Sequence, residues 1–161
     1  MTINLSLSEC GPTLPQTNVR ERAMTTQMQS EIPSADAEQR VAISHYRNDD
    51  FVSGLRAYAQ YRDLGMVDAT NGMVRAHVLR FTEPCDPQVV SKVHFHNTRF
   101  QMVYVLKGWV KTKLGDRDEI TMRQGSSWTQ PPGIKHVIND YSDDCELLEV
   151  ILPADFETVE V

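Results

Sequence analysis

Basic charge is in deficit in this chain. Sixteen Lys and Arg stand against 22 Asp and Glu, giving a formal charge of −6 and a pI near 5.3. A surface able to neutralise a run of phosphates is therefore not expected, nor is nucleic acid as a partner. Long apolar runs are missing as well. None approaches the ~20 residues that span a bilayer, so a membrane is not expected. The first residues lack a basic stretch followed by an apolar one, so no secretory signal is expected. Cysteine is sparse: Cys10, Cys85 and Cys145 are odd in number and far apart, and none forms a CxxC pair. They read as reduced thiols of a cytoplasmic protein, and neither a disulfide framework nor a thiolate zinc knuckle is expected. What remains is ordinary for one soluble domain: 161 residues, 40% hydrophobic and 24% charged.

The composition changes along the chain. Residues 1–45 are dominated by Thr, Ser, Gln, Glu and Pro with apolar residues scattered singly, which buries too little surface to offset ordering entropy. They read as a flexible leader, or an arm that docks on a partner, with a short helix over 34–44 capped by Ser34. From residue 46 on, the signals are those of strands. Gly54 to Tyr61 alternates. Asp63-Leu64-Gly65 and Asp68 to Gly72 are turns, the second with Asn-Gly at its tip. Met73 to Phe81 alternates Val74, Ala76 and Val78 against Arg75, His77, Leu79 and Phe81. Glu83 to Pro87 is a proline loop. Further strands are expected at the His94–His96 stretch, Gln101–Lys107, Trp109–Leu114, Ile120–Arg123, His136–Ile138 and Leu147–Leu152, with Ser127–Gln130 leading into a rigid corner at Pro131-Pro132-Gly133. The pattern predicts an all-β sandwich or barrel with almost no helix.

The chemistry concentrates in Val93-His94-Phe95-His96-Asn97-Thr98-Arg99-Phe100-Gln101. Two histidines two apart leave the same face of a strand. Four residues separate His96 from Gln101 and six separate Gln101 from Gly108; after 16 intervening residues comes Gly125, then Pro131, Gly133 and His136. In this order and spacing the chain resembles the cupin superfamily over roughly Met73 to Leu152, as a small single-domain, cupin 2-like metal-binding protein. Gln88 stands where the first motif opens with Gly, Gln101 where it carries Glu, and Asp140 where the second closes with Asn.

The resemblance implies a double-stranded β-helix, or jelly-roll barrel, over 46–161, following the extended N-terminal leader. It implies that His94, His96, Gln101 and His136 bind one divalent transition metal: Fe, Ni, Zn, Mn or Cu. An amide in place of a carboxylate leaves about two positive charges on the ion and favours Lewis acidity. Cupins that rearrange unsaturated uronates, and certain polyketide cyclases, look similar in using three His and a Gln. The leading expectation is a metal-dependent enzyme that isomerises, cyclises or moves protons on a small, oxygen-rich anion. One alternative is an iron-dependent dioxygenase resembling the quercetinase-like cupins; another is a non-catalytic sensor or binding module. Glu149, His77 and Tyr104 are candidate catalytic residues. The ordinary reading makes Glu149 part of a solvated strand face, His77 a plain strand histidine and Tyr104 a core or interface aromatic. Small cupins resemble one another in pairing, so a homodimer with its seam in 51–81 is expected.

Overall fold

The computed structural model describes residues 38–161. Two antiparallel sheets face each other as a jelly-roll barrel. The strands are β1 (Val52–Ser53), β2 (Ala59–Asp63), β3 (Arg75–Phe81), β4 (His94–His96), β5 (Phe100–Lys107), β6 (Trp109–Leu114), β7 (Ile120–Arg123), β8 (Ser127–Thr129), β9 (His136–Tyr141), β10 (Glu146–Leu152) and β11 (Thr158–Glu160). One sheet runs β1-β2-β3-β10-β5-β8 and the other β11-β4-β9-β6-β7. No helix among the described residues is long and apolar enough to cross a membrane.

Register determines which side chains point inward. In an antiparallel pair, directly opposed residues project from the same face. The middle of the larger sheet therefore carries three inward rungs. One joins Arg75, Ile151 and Gln101; the next His77, Glu149 and Val103; the third Leu79, Leu147 and Val105. The rungs grade from polar to aliphatic along the strands. The aliphatic end closes into a core with Ala59, Phe81, Val110, Tyr141 and Cys145. Phe81 and Tyr141 stack there with ring centroids 3.9 Å apart. The polar end is left as a cavity.

Several local expectations need correcting. The early strand begins at Ala59, because the Ala59 N–H closes a turn on the Arg56 carbonyl. Met66–Ala69 forms one helical turn where only a turn was expected. Asn71 and Gly72 do follow it with positive φ, at 50° and 82°. Pro87–Val90 is a helical turn that starts at the last residue of the expected loop: Asp86 accepts from the Gln88 N–H at 2.9 Å, and Pro87 occupies a position that needs no N–H donor. β9 runs on to Tyr141, and β11 was not foreseen. Residues 38–44 are not helical, while 34–37 of that expected helix, and Cys10, lie outside the described residues. The described end of the expected leader is tied to the barrel. Arg40 bonds the Ala69 and Asp68 carbonyls, and buried Arg62 reaches the Ser44 and His45 carbonyls.

Candidate metal centre

Three imidazoles meet on the inner side of the smaller sheet. His94 and His96 leave β4 on one face, two residues apart. His136 opens β9 directly opposite His94 in the ladder. The sharp Pro131-Pro132-Gly133 corner delivers it there, with Gly133 at φ 70° and its N–H on the His96 carbonyl. One ring nitrogen from each histidine lies within 4.8 Å of the others.

Each ring is held by its other nitrogen. His94 Nδ1 donates to the Lys92 carbonyl at 2.8 Å and His136 Nδ1 to the Ile134 carbonyl at 3.0 Å. A carbonyl only accepts, so the proton sits on Nδ1 and the Nε2 lone pair is free. His96 Nδ1 meets Thr158 Oγ1 at 2.9 Å, a bond supplied by β11. Burial holds all three rings below the ordinary histidine range, His96 and His136 at about 4, where the neighbouring rings add to it. At neutral pH they are uncharged, as ligands must be.

Gln101 stands on the inward face of β5, 2% exposed. Its Oε1 is buried and has no hydrogen-bond partner among the described residues. A buried amide oxygen left unpaired costs free energy unless something fills it. Three neutral imidazoles, two of them with the Nε2 lone pair free, and an orphaned buried oxygen in the same barrel are a donor set that fits a divalent transition metal.

The cavity beside the histidines has a volume of about 630 Å³. Its walls include His94 and His96, then His77 and Glu149, then Tyr61, Phe81 and Phe156, with Arg56 and Arg75. Arg75 Nε donates to the Ala154 carbonyl at 2.8 Å. His77 Nε2 and Glu149 Oε2 are 2.8 Å apart, with 13% and 20% of their side chains exposed. Burial opposes ionisation of Glu149, yet the His77 hydrogen bond and charge, with His96 and His136 beyond, outweigh it and hold the carboxyl below its usual value.

The reading of Glu149 as a solvated strand position is thus corrected: it lines the cavity. His77, read as a plain strand histidine, lines it too. Tyr104 is opposed to Leu148 and Ser127 on the other face of β5 and is 37% exposed, away from the cavity. Sequence reasoning missed Thr158, Tyr61 and the two arginines. Only Arg75 carried a usable signal, since it alternates in phase with His77.

The comparisons agree on the fold. Residues 85–151 match the family model described as Cupin domain. Among solved structures the chain is similar to KdgF from a Halomonas species, at 19% identity, covering 68% of this chain and 94% of that one, with a TM-score of 0.54. It is similar to the polyketide cyclase RemF from Streptomyces resistomycificus, at 17% identity, covering 73% and 84%, with a TM-score of 0.58. It is also similar to the iron(II) form of HppE, at 18% identity, covering 71% and 62%, with a TM-score of 0.54. At such identities the likeness is one of fold. No curated protein matches the chain by sequence.

Proposed function

From the match of residues 85–151 to the Cupin domain model, we propose that the chain is a metal-dependent enzyme acting on a small, oxygen-rich anion. His94, His96 and His136 hold one divalent transition metal through Nε2, and Gln101 completes the set through Oε1. Bound there among neutral ligands, the ion supplies Lewis acidity to an oxygen of the substrate. The reaction class is isomerisation, cyclisation or a related proton transfer. A cavity of about 630 Å³ suits a small molecule. Arg75 on its wall gives an anion a counter-charge, with Arg56 beside it paired to Glu160 at 3.1 Å, and Tyr61, Phe81 and Phe156 give it apolar surface.

One observation carries this reading: three imidazoles, each with Nδ1 engaged, bring their remaining nitrogens together inside a barrel. Elemental analysis of the purified chain, followed by calorimetric titration with Zn²⁺, Ni²⁺, Mn²⁺ and Fe²⁺, tests it. About one ion per chain, lost in His96→Gln and in His136→Gln, is the expected result. A wild-type chain that carries no transition metal and takes none up overturns the proposal. The proposal includes a homodimer, consistent with exposed Val52 in the outer strand β1 and exposed Leu55 just after it; light scattering reads it directly.

A further inference from the structure

The two faces of the cavity carry different chemistry. The histidines belong to β4 and β9 of the smaller sheet. Opposite them, the larger sheet presents one buried acid–base pair, Glu149 on β10 and His77 on β3, in the same rung. Glu149 is not a member of the three-histidine cluster. It sits one strand across and one rung along from Gln101, a diagonal relation of roughly 7–8 Å between backbones. Glu149 and His77 line the same cavity as His94 and His96.

The pair is not needed to fill space. On the same face Val103, Leu79, Leu147 and Ile151 are aliphatic while Arg75 and Gln101 in the next rung are polar, and taking a carboxylate and an imidazole out of water costs more than continuing the aliphatic packing. The other glutamate of β10 shows the ordinary alternative. Glu146 pairs with Arg80 at 2.7 Å as part of a network with Asn48 and Tyr46 at the surface. His77 is itself fixed: Tyr61 meets its ring edge-on with centroids 5.4 Å apart, so its Nε2 stays on Glu149.

We propose that Glu149 is the residue that takes and returns a proton in this site, and that His77 is the positioning residue that aims it at a carbon acid bound between the two sheets. The inference rests on the metal reading above. A Glu149 oxygen takes a proton from a carbon next to a carbonyl. The C–H electron pair becomes the enolate double bond, the carbonyl oxygen carries the negative charge, and Glu149 becomes a carboxylic acid. Return of the same proton to the original carbon gives back the ligand. Return to another carbon of the conjugated system gives its isomer. Glu149 is a carboxylate again in either case, and nothing is oxidised or reduced.

Hydrogen–deuterium exchange tests this without knowledge of the natural substrate. The full chain, loaded with the metal it binds best, is incubated in D₂O with pyruvate, 2-oxobutyrate and 2-oxoglutarate, and loss of the C–H signal beside the carbonyl is followed by proton NMR. Wild type exchanges at least one of them faster than the free metal does. Glu149→Gln slows this about 100-fold, a typical contribution of a positioned base, at unchanged metal content. Glu149→Asp recovers part of the rate. His77→Gln lowers it about tenfold. Equal rates in wild type and Glu149→Gln at full metal loading overturn the proposal, whether both are fast or both absent.

A wild type that takes up no metal overturns the underlying reading instead. The pair is then judged in the metal-free chain by carbon-13 NMR of the Glu149 carboxyl. The groups facing it are His77 from β3, Tyr61 from β2, His94 and His96 from β4, His136 from β9, and Arg56. A carboxylate signal at pH 7 that moves towards the acid in His77→Gln supports the pair. A signal that does not move overturns it.

Discussion

Gln101 shows how a single side chain can be a cost and an asset at once. Its oxygen is buried without a partner, so the metal-free barrel carries a desolvation penalty at that atom. Gln101→Leu removes the penalty. Metal-free Gln101→Leu is expected to be more stable than wild type by about 1 kcal/mol in urea unfolding, while its metal affinity falls. Gln101→Glu is expected to bind divalent metal roughly tenfold more tightly, because a carboxylate adds charge to a site of neutral donors. Parallel calorimetric titrations of both variants check the two directions. Residue types and spacing made the three histidines and Gln101 legible in the sequence. Glu149 was not legible in the same way. Alternation correctly separates it from Leu148 and Val150, but Leu147 and Ile151 on its own face are apolar too. When both faces of a strand are apolar, polarity cannot say which one looks inward; only the rung with His77 and Val103 decides it.

Among the elements, β11 carries the clearest lesson. Three residues, Thr158 to Glu160, pair with β4 across some sixty positions of sequence and hold His96 from behind. Nothing local announces such a strand: it is short, it follows Pro153 at a distance, and its pairing is non-local. Its contribution is nonetheless chemical. Thr158→Val keeps the shape and removes the hydroxyl that fixes the His96 ring. Metal affinity should fall about 10–100-fold, the usual effect of removing a partner of a ligating histidine, with thermal stability of the metal-free chain nearly unchanged. Titration against a competing chelator measures the first and a thermal melt the second. The longer strands were readable because their period was clean and their turns were marked, as at Lys107-Gly108. There φ is 68°, and a side chain at 108 would meet Ser142 and the Cys145 backbone.

At the scale of the molecule, the buried rings tie stability to acidity. In the unfolded chain a histidine titrates near 6.5, while in the folded chain His96 and His136 titrate near 4. Between those values the unfolded state binds protons that the folded state refuses. The stability these rings contribute is fully present above about pH 6.5 and drains as pH falls towards 4, at about 1.4 kcal/mol per pH unit for each ring. Urea unfolding of the metal-free chain between pH 7 and 5, where most carboxylates stay ionised in both states, should show this slope, and His136→Gln should reduce it. Bound metal adds stability on top, growing with the logarithm of free metal over its dissociation constant.

The strand layout gives the proposed ion one more job. Its three nitrogens come from one sheet and its oxygen from the other, with residues 97–99 as the connection between β4 and β5. On that ligand set the ion is a rivet through both layers, not an ornament on one. Loading it should slow amide exchange in β4, β5 and β9 together, and leave β7, out at the far margin, to breathe as before.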